Sequence, residues 1–478
     1  MPATGGSPTN VRGGLNMDVS SFDAIVIGTG QAGPPLAVRM AKRGWKVAVL
    51  ERQRFGGTCV NYGCIPTKTL VASARAAHVA RRAEDFGVLL QGGVRVDMAR
   101  VHARMREVAG QSERGVESWL RGQPGIEVIL GHGRFVAPRT VEVGTASGSR
   151  RLKAPRVFLD VGGRAMVPDL PGLSEVPFLT NSEMLDLAEL PDHLIIVGGS
   201  YIGLEFAQMF RRFGASVTVI ERGGHLLSRE DADVAEEVRR ILAAEGIEFR
   251  FSGKPERVAR RGSGLELVLS SGEAIAGSHL LLATGRRPNT DDLGLDEAGV
   301  RVDARGYVEV DEQLRTSAEG VWALGDCNGK GAFTHTSYND YEIVGDNLLE
   351  GAARKVSDRI PAYAVYVDPP LGRVGFSEAE VRARQKPALV AKMPMTRVGR
   401  ARERGETEGF MKVHVDAESK LILGAAYLGI EADEVVQMLL PLMMARQPYS
   451  ILTHTMFVHP TVSELVPTML EEYLKPLV

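Results

Sequence analysis

Near its start the chain joins a short apolar run to glycines at fixed offsets and then to a second apolar run that ends on an acid, in FDAIVIGTGQAGPPLAVRMAKRGWKVAVLERQ. The pattern predicts a strand over 24–27, the turn Gly28-x-Gly30-x-x-Gly33, a helix carrying Leu36, Val38 and Met40, and a strand over 46–50 ending at Glu51. Each part has a physical role: the first glycine makes the tight turn, the second lets backbone approach a pyrophosphate, and the third packs the helix on the strand. The helix start offers amide donors and a positive dipole end, and the terminal acid is placed to accept from ribose hydroxyls. The pattern recurs in HLIIVGGSYIGLEFAQMFRRFGASVTVIER, with a strand over 194–197, Gly198-x-Ser200-x-x-Gly203 and a strand ending at Glu221. In both copies the acid follows the first glycine by 23 residues. Ser200 at the central position is small but crowds the pyrophosphate approach slightly. Two such units restrict the chain to the α/β class with two Rossmann-like domains. Two dinucleotide sites in one chain suggest electron transfer between them. At 478 residues, a chain has room for about three domains.

Between the fingerprints stands GGTCVNYGCIPTKTL, residues 56–70. Cys59 and Cys64 have four residues between them, Pro66 suits the first turn of a helix, and Lys68 lies one turn after Cys64 on the same face. A thiol at a helix start beside a lysine ionises readily, and the thiolate is the nucleophile. The spacing alone leaves open a chance pair of buried thiols. The third and last cysteine is Cys327, too few for a thiolate-rich zinc site or a disulfide framework, and no resident metal is expected. The formal net charge is −2, so no basic excess calls for nucleic acid or an anionic membrane. Residues 1–20, rich in Gly, Pro, Ser, Thr and Asn and without an apolar core, are expected to form a mobile tail rather than a signal peptide. The longest apolar stretch, VVQMLLPLMMA at 435–445, falls short of the ~20 residues of a membrane span, and a cytoplasmic location is expected.

GGTCVNYGCIPTK resembles the redox-disulfide segment of the class I pyridine nucleotide–disulfide oxidoreductases, the family of dihydrolipoamide dehydrogenase, glutathione reductase and mercuric reductase. LLATGRRPN at 281–289, VWALGDCNG at 321–329 and VHPTVSE at 458–464 resemble further motifs of that family, in the same order. The resemblance implies FAD on the first fingerprint, with Gly57, Thr58, Gly133, Gly162, Gly325 and Asp326 joining Gly28, Gly30, Gly33 and Glu51. It implies NADH or NADPH on the second, with Gly198, Ser200, Tyr201, Ile202, Gly203, Glu221, Arg222 and Gly285. Glu221 favours NADH, because a carboxylate repels a 2′-phosphate, while Arg222 and Arg229 pull the other way. Cys64 is then the thiol against the flavin and Cys59 the interchange thiol. Lys68 pairs with Glu205 near the flavin ring, Tyr201 gates the nicotinamide side, and His459 with Glu464 forms an acid–base dyad presented by the partner subunit of a homodimer. The implied domains are FAD-binding, 21–165 and 290–358; NAD(P)-binding, 166–289; and an α+β dimerisation domain, 359–478, with a hairpin from GFMKVHVDA and LILGAAYLG.

Departures narrow the branch. No cysteine follows Cys327, unlike the C-terminal pair of mercuric reductases and large thioredoxin reductases. DVGGRAMVP at 160–168 departs from the ATGS turn usual in dihydrolipoamide dehydrogenase. PPLGRVGFSEAEVRAR at 369–384 and PYSILTHTMFVHPTVSE at 448–464 resemble the mercuric-reductase-like flavoproteins that include the reactive-chlorine-resistance reductases. The expected activity is electron transfer from NAD(P)H through flavin and Cys59–Cys64 to a small acceptor: a metal ion, a disulfide or an oxidant. The alternatives are a dihydrolipoamide dehydrogenase and a flavin-bearing redox sensor that does not turn over. Cys327 is expected to be a buried inert thiol, His454 a loop histidine, 439–445 a core or interface helix, and the arginine-rich 396–406 a solvated loop.

Overall fold

The computed structural model describes residues 19–477, which divide into two compact units. One holds residues 19–55, 117–162 and 288–353; the other holds 56–116, 163–287 and 354–477. Of the expected N-terminal tail, 1–18 lie outside the described residues. Val19 and Ser20 do not belong to a tail: strand Val19–Ser21 pairs in parallel with Gly148–Lys153, with Val19 opposite Arg151 and Ser20 opposite Leu152. The backbone hydrogen bonds of that ladder outweigh the polar, turn-prone composition around it.

In the first unit five strands form a parallel sheet in the order Val321–Ala323, Val157–Leu159, Ala24–Ile27, Val47–Glu51, Ile126–Leu130. All four residues of Ala24–Ile27 are buried, the continuous apolar run expected of a parallel strand covered on both faces. Helix Gly33–Lys42 buries Leu36, Ala37, Val38 and Met40, the three predicted positions among them. A second sheet, Val19–Ser21, Gly148–Lys153, Thr140–Thr145 and His132–Ala137, shares the core through Phe135, Val141, Val143 and Leu152.

The second unit repeats the parallel pattern with Glu248–Phe251, Ser216–Glu221, His193–Val197 and Leu280-centred strand His279–Leu282. A six-stranded antiparallel sheet follows, built around the predicted hairpin, Phe410–Asp416 with Ile422–Leu428. Helix Leu439–Met444 packs Leu439 and Leu442 into that core. The arginine-rich segment is not a loop: it contains helix Gly399–Glu403, because Val398 and Ala401, spaced at one helical turn, plug the same core while the arginines face out.

Candidate active site

In the first unit the glycine loop runs from strand Ala24–Ile27 into helix Gly33–Lys42. Gly28 has φ +103°, and a Cβ there would lie 2.2 Å from the Asp160 carbonyl oxygen, so only glycine fits the turn. Glu51 is buried at its strand end. It accepts from the Thr29 N–H (3.2 Å), the Thr29 hydroxyl (2.5 Å) and the Gln53 N–H (2.8 Å). The acid that the sequence assigns to a ribose therefore also pins the glycine loop. Gly133 sits in strand His132–Ala137, where a Cβ would meet Leu50 at 2.6 Å, and Gly162 has φ +63°. Gly325 and Asp326 open the turn Gly325–Asn328, and the Gly325 N–H donates to Asp340 at 2.7 Å. A glycine loop leading into a helix start, with an acid at the next strand end, fits the diphosphate–ribose half of FAD.

The second unit holds the second copy. Gly198 has φ +119°, with the Ala283 carbonyl 2.3 Å from where its Cβ would be. Ser200 is the N-cap of helix Tyr201–Phe213, which carries Ile202 and Gly203. Glu221 ends strand Ser216–Glu221 and accepts from the N–H groups of Gly199 (2.8 Å) and Gly223 (2.7 Å). Its role matches that of Glu51, so the two copies share structure as well as spacing. Arg222 is exposed beside it, and the Gly285 carbonyl accepts from the Met166 N–H at 2.9 Å.

Cys59 and Cys64 belong to this same unit. Thr58 and Cys59 lie on the short helix Gly57–Asn61, and Cys64 is the first residue of helix Cys64–Arg81, with Pro66 in its first turn. Cys59 is half-buried and Cys64 exposed. The Thr58 hydroxyl lies 3.5 Å from the Gly163 carbonyl. Leu70 and Ala74 of the cysteine helix share a core with Phe206 and Phe210 of the second-fingerprint helix. Across that contact the Lys68 ammonium donates to Glu205 at 2.8 Å, the pairing that the family resemblance implied. Glu205 is buried, and its other oxygen accepts from the Tyr366 N–H at 2.9 Å. The Lys68 ammonium also lies 4.7 Å from the centre of the Tyr366 ring, a cation–π distance. Tyr366 was not anticipated. Burial, followed by Asp433, Glu205 and Cys64, raises its hydroxyl above the ordinary tyrosine value, which puts the ring within electrostatic reach of the redox pair. The signal in sequence would have been an aromatic two residues before Asp368-Pro369, which has no spacing of its own to mark it.

His459 and Glu464 meet: Nδ1 lies 3.0 and 3.1 Å from the two carboxylate oxygens. The histidine side chain is 80% exposed, and among the described residues Glu464 is its one polar partner. Cys327 is fully buried and its thiol donates to the Leu324 carbonyl at 3.2 Å. Burial first, then Asp160, pushes its thiol well above the usual range. His454 is exposed at the end of helix Ser450–Thr453. One cluster of ligand-type side chains occurs among the described residues, Asp231, Glu378 and His414. The Lys412 ammonium, 2.8 Å from Asp231 and 3.4 Å from Glu378, already supplies positive charge there.

Comparison with known proteins agrees with this geometry. The pyridine nucleotide-disulphide oxidoreductase family matches residues 22–340, and the dimerisation domain of that family matches 361–470. The probable pyridine nucleotide-disulfide oxidoreductase RclA of Escherichia coli is 37% identical over 451 residues, 93% of this chain and 98% of the relative. A dihydrolipoyl dehydrogenase of Thermus scotoductus is 34% identical over 457 residues, 93% of this chain and 96% of the relative. Among solved structures, the Cu(II) complex of the HOCl-induced flavoprotein disulfide reductase RclA from Escherichia coli superposes with a TM-score of 0.88 at 35% identity, covering 94% of this chain and 99% of that one. Family matches over most of the chain, together with relatives of this identity over nearly their full length, show that the protein belongs to the pyridine nucleotide-disulphide oxidoreductases, which work with FAD, a nicotinamide dinucleotide and a redox-active disulfide.

Proposed function

We propose that the protein catalyses turnover of NAD(P)H against a small electron acceptor, with Cys59 and Cys64 as the dithiol that meets it. The observation that carries this reading is the lysine–glutamate pair: Lys68, one turn after Cys64, is tied to Glu205 on the second-fingerprint helix. The first fingerprint would hold FAD, whose chemistry when bound would be hydride acceptance from the nicotinamide and two-electron transfer to the disulfide. The rest is the work of side chains. Cys64 at the start of an 18-residue helix is stabilised as thiolate by the helix dipole. Glu205 fixes the Lys68 charge, which by the family resemblance lies near the flavin ring. Exposed on its own chain, His459 is available to a partner subunit, and Glu464 at Nδ1 orients its Nε2 for proton transfer.

The acceptor decides which groups are needed. With a disulfide, the Cys59 thiolate attacks one sulfur, the leaving thiolate takes a proton from His459, and Cys64 then attacks Cys59 to release the second thiol. With Cu(II), two ions each take one electron, the Cys59–Cys64 disulfide forms and two protons are released, with no leaving group to protonate. The relative whose solved structure is a Cu(II) complex supports including copper among the acceptors. The second reading, dihydrolipoamide dehydrogenase, is supported by the Thermus relative and by the His459–Glu464 pair. The domain limits 21–165 with 290–358, 166–289 and 359–478 are part of the same proposal. Purified protein is assayed with NADH and NADPH against Cu(II), Hg(II), quinones, low-molecular-weight disulfides and dihydrolipoamide. Sustained oxidation with one class identifies the acceptor, NAD reduction by dihydrolipoamide supports the second reading, and a single stoichiometric reduction with every acceptor overturns both in favour of a sensor.

A further inference from the structure

The DVGG turn that departs from the family pattern begins with Asp160, and that residue lies at the first dinucleotide fingerprint. Asp160 follows strand Val157–Leu159, and its N–H donates to the Ile27 carbonyl at 2.8 Å. Only 5% of it is exposed. Its carboxylate turns onto the start of helix Gly33–Lys42, where it accepts from the Gly33 N–H at 2.7 Å and from the N–H of Ala32. The glycine loop closes over it: a Cβ at Gly30 would lie 2.8 and 2.9 Å from its two oxygens, and a Cβ at Gly33 2.9 Å from one.

The charged groups facing Asp160 are both acids, Asp326 from the turn Gly325–Asn328 and Asp340 from helix Thr334–Leu349. The helix that it caps has no acid in its first turn, and its basic residues, Arg39 and Lys42, lie in its last. The buried Cys327 thiol is a further titratable neighbour. Among the described residues no Lys, Arg or His forms an ion pair with Asp160. The carboxyl thus occupies amides at a helix start, where a dinucleotide places its pyrophosphate, with no cation to neutralise a second anion.

We infer that Asp160 admits the FAD pyrophosphate only as the neutral carboxylic acid, so that cofactor loading takes up a proton and weakens as pH rises. The inference rests on FAD occupying the first fingerprint. A neutral carboxyl removes the charge repulsion and can donate its O–H to a phosphate oxygen, whereas the carboxylate repels the phosphate and competes for the helix amides. Burial, the largest influence, outweighs the two amides that favour the anion, and with the neighbouring acids it pushes the carboxyl up to about 8. Proton linkage then gives a slope of one: FAD affinity falls by about tenfold between pH 7 and pH 9, and the slope approaches a factor of ~10 per pH unit above that.

The test is FAD binding to apoprotein by fluorescence quenching from pH 6.5 to 9, with wild type beside Asp160→Asn. The amide keeps the shape and carries no charge at any pH. The expected result is a Kd that rises with pH in the wild type and stays flat in Asp160→Asn, the variant binding tighter at pH 9. Titration calorimetry of the wild type at pH 9, in two buffers of different ionisation enthalpy, should give uptake approaching one proton per FAD. That reading does not depend on the variant folding. A flat Kd, no proton uptake, or an unchanged slope in Asp160→Asn overturns the role of Asp160 while leaving FAD assigned to the site. An absence of FAD binding at every pH overturns the FAD assignment itself, and the inference with it.

Discussion

The two active-site cysteines differ in exposure and in position, and their variants should differ accordingly. Cys64 opens the helix Cys64–Arg81, where the dipole favours a thiolate. Cys64→Ser should abolish the long-wavelength absorbance of the two-electron-reduced protein while FAD stays bound. Cys59→Ser should keep that band and lose acceptor reduction. Loss of the band in Cys59→Ser with its retention in Cys64→Ser would reverse the two roles. Retained acceptor turnover in both variants would mean that electrons leave without the dithiol. His459, held at Nδ1 by Glu464, should matter only where a leaving thiolate needs a proton. His459→Ala is expected to lower disulfide reduction by ~10²-fold, in the range of general acid–base catalysis, and to leave flavin reduction by nicotinamide almost unchanged. Equal losses in stopped-flow measurements of the two half-reactions would assign the histidine to structure instead.

At the scale of elements, the cysteine helix is held to the second-fingerprint helix by apolar packing and by a buried ion network around Asp368. Arg75 of the first helix lies 2.6 Å from Asp368, Arg212 of the second also contacts it, and Arg212 lies 2.7 Å from Glu245. Burial opposes ionisation of Asp368, yet Arg212 and Arg75 outweigh it and hold its carboxyl below the usual value. The sign follows: the stabilisation is complete above about pH 5 and is lost as pH falls through and below the ordinary carboxyl value of ~3.9. Asp368→Asn leaves Arg212 partly uncompensated in the interior, a change that costs about 3–5 kcal/mol for buried pairs. Urea unfolding at pH 7 should show that loss, and the gap between wild type and variant should narrow towards pH 3. A gap of the same size at both pH values would contradict the electrostatic account. In the short helix Gly399–Glu403, four arginines over 397–404 hid the two small apolar residues that anchor it, Val398 and Ala401.

For the whole molecule the measurable consequences are dinucleotide choice and assembly. With the nicotinamide dinucleotide on the second fingerprint as proposed, Glu221, fixed by two backbone amides, would set a carboxylate against a 2′-phosphate, so kcat/KM should be higher with NADH than with NADPH. The opposite ranking would give the decision to Arg222 and Arg229. A family dimerisation domain over 361–470 predicts a dimer by analytical ultracentrifugation, with His459→Ala and Cys59→Ser chains, each impaired in disulfide reduction, regaining that activity when mixed, because each mixed dimer rebuilds one complete site. No complementation would place the dyad and the dithiol in one subunit's site. Among the described residues no helix is long and apolar enough to cross a membrane. Much of this was legible in the chain itself. The α/β class, the two nucleotide folds, the redox pair at a helix start and the hairpin of the last domain follow from local patterns, because glycine offsets, apolar runs and a proline in a first turn act on neighbouring residues. Tertiary structure decided what depends on residues far apart in sequence. The pairing of Val19 with Arg151, the ring of Tyr366 beside Lys68 and the burial of Asp160 against Gly33 each join segments separated by more than a hundred residues. No periodicity records such contacts, because chain folding rather than spacing brings them together.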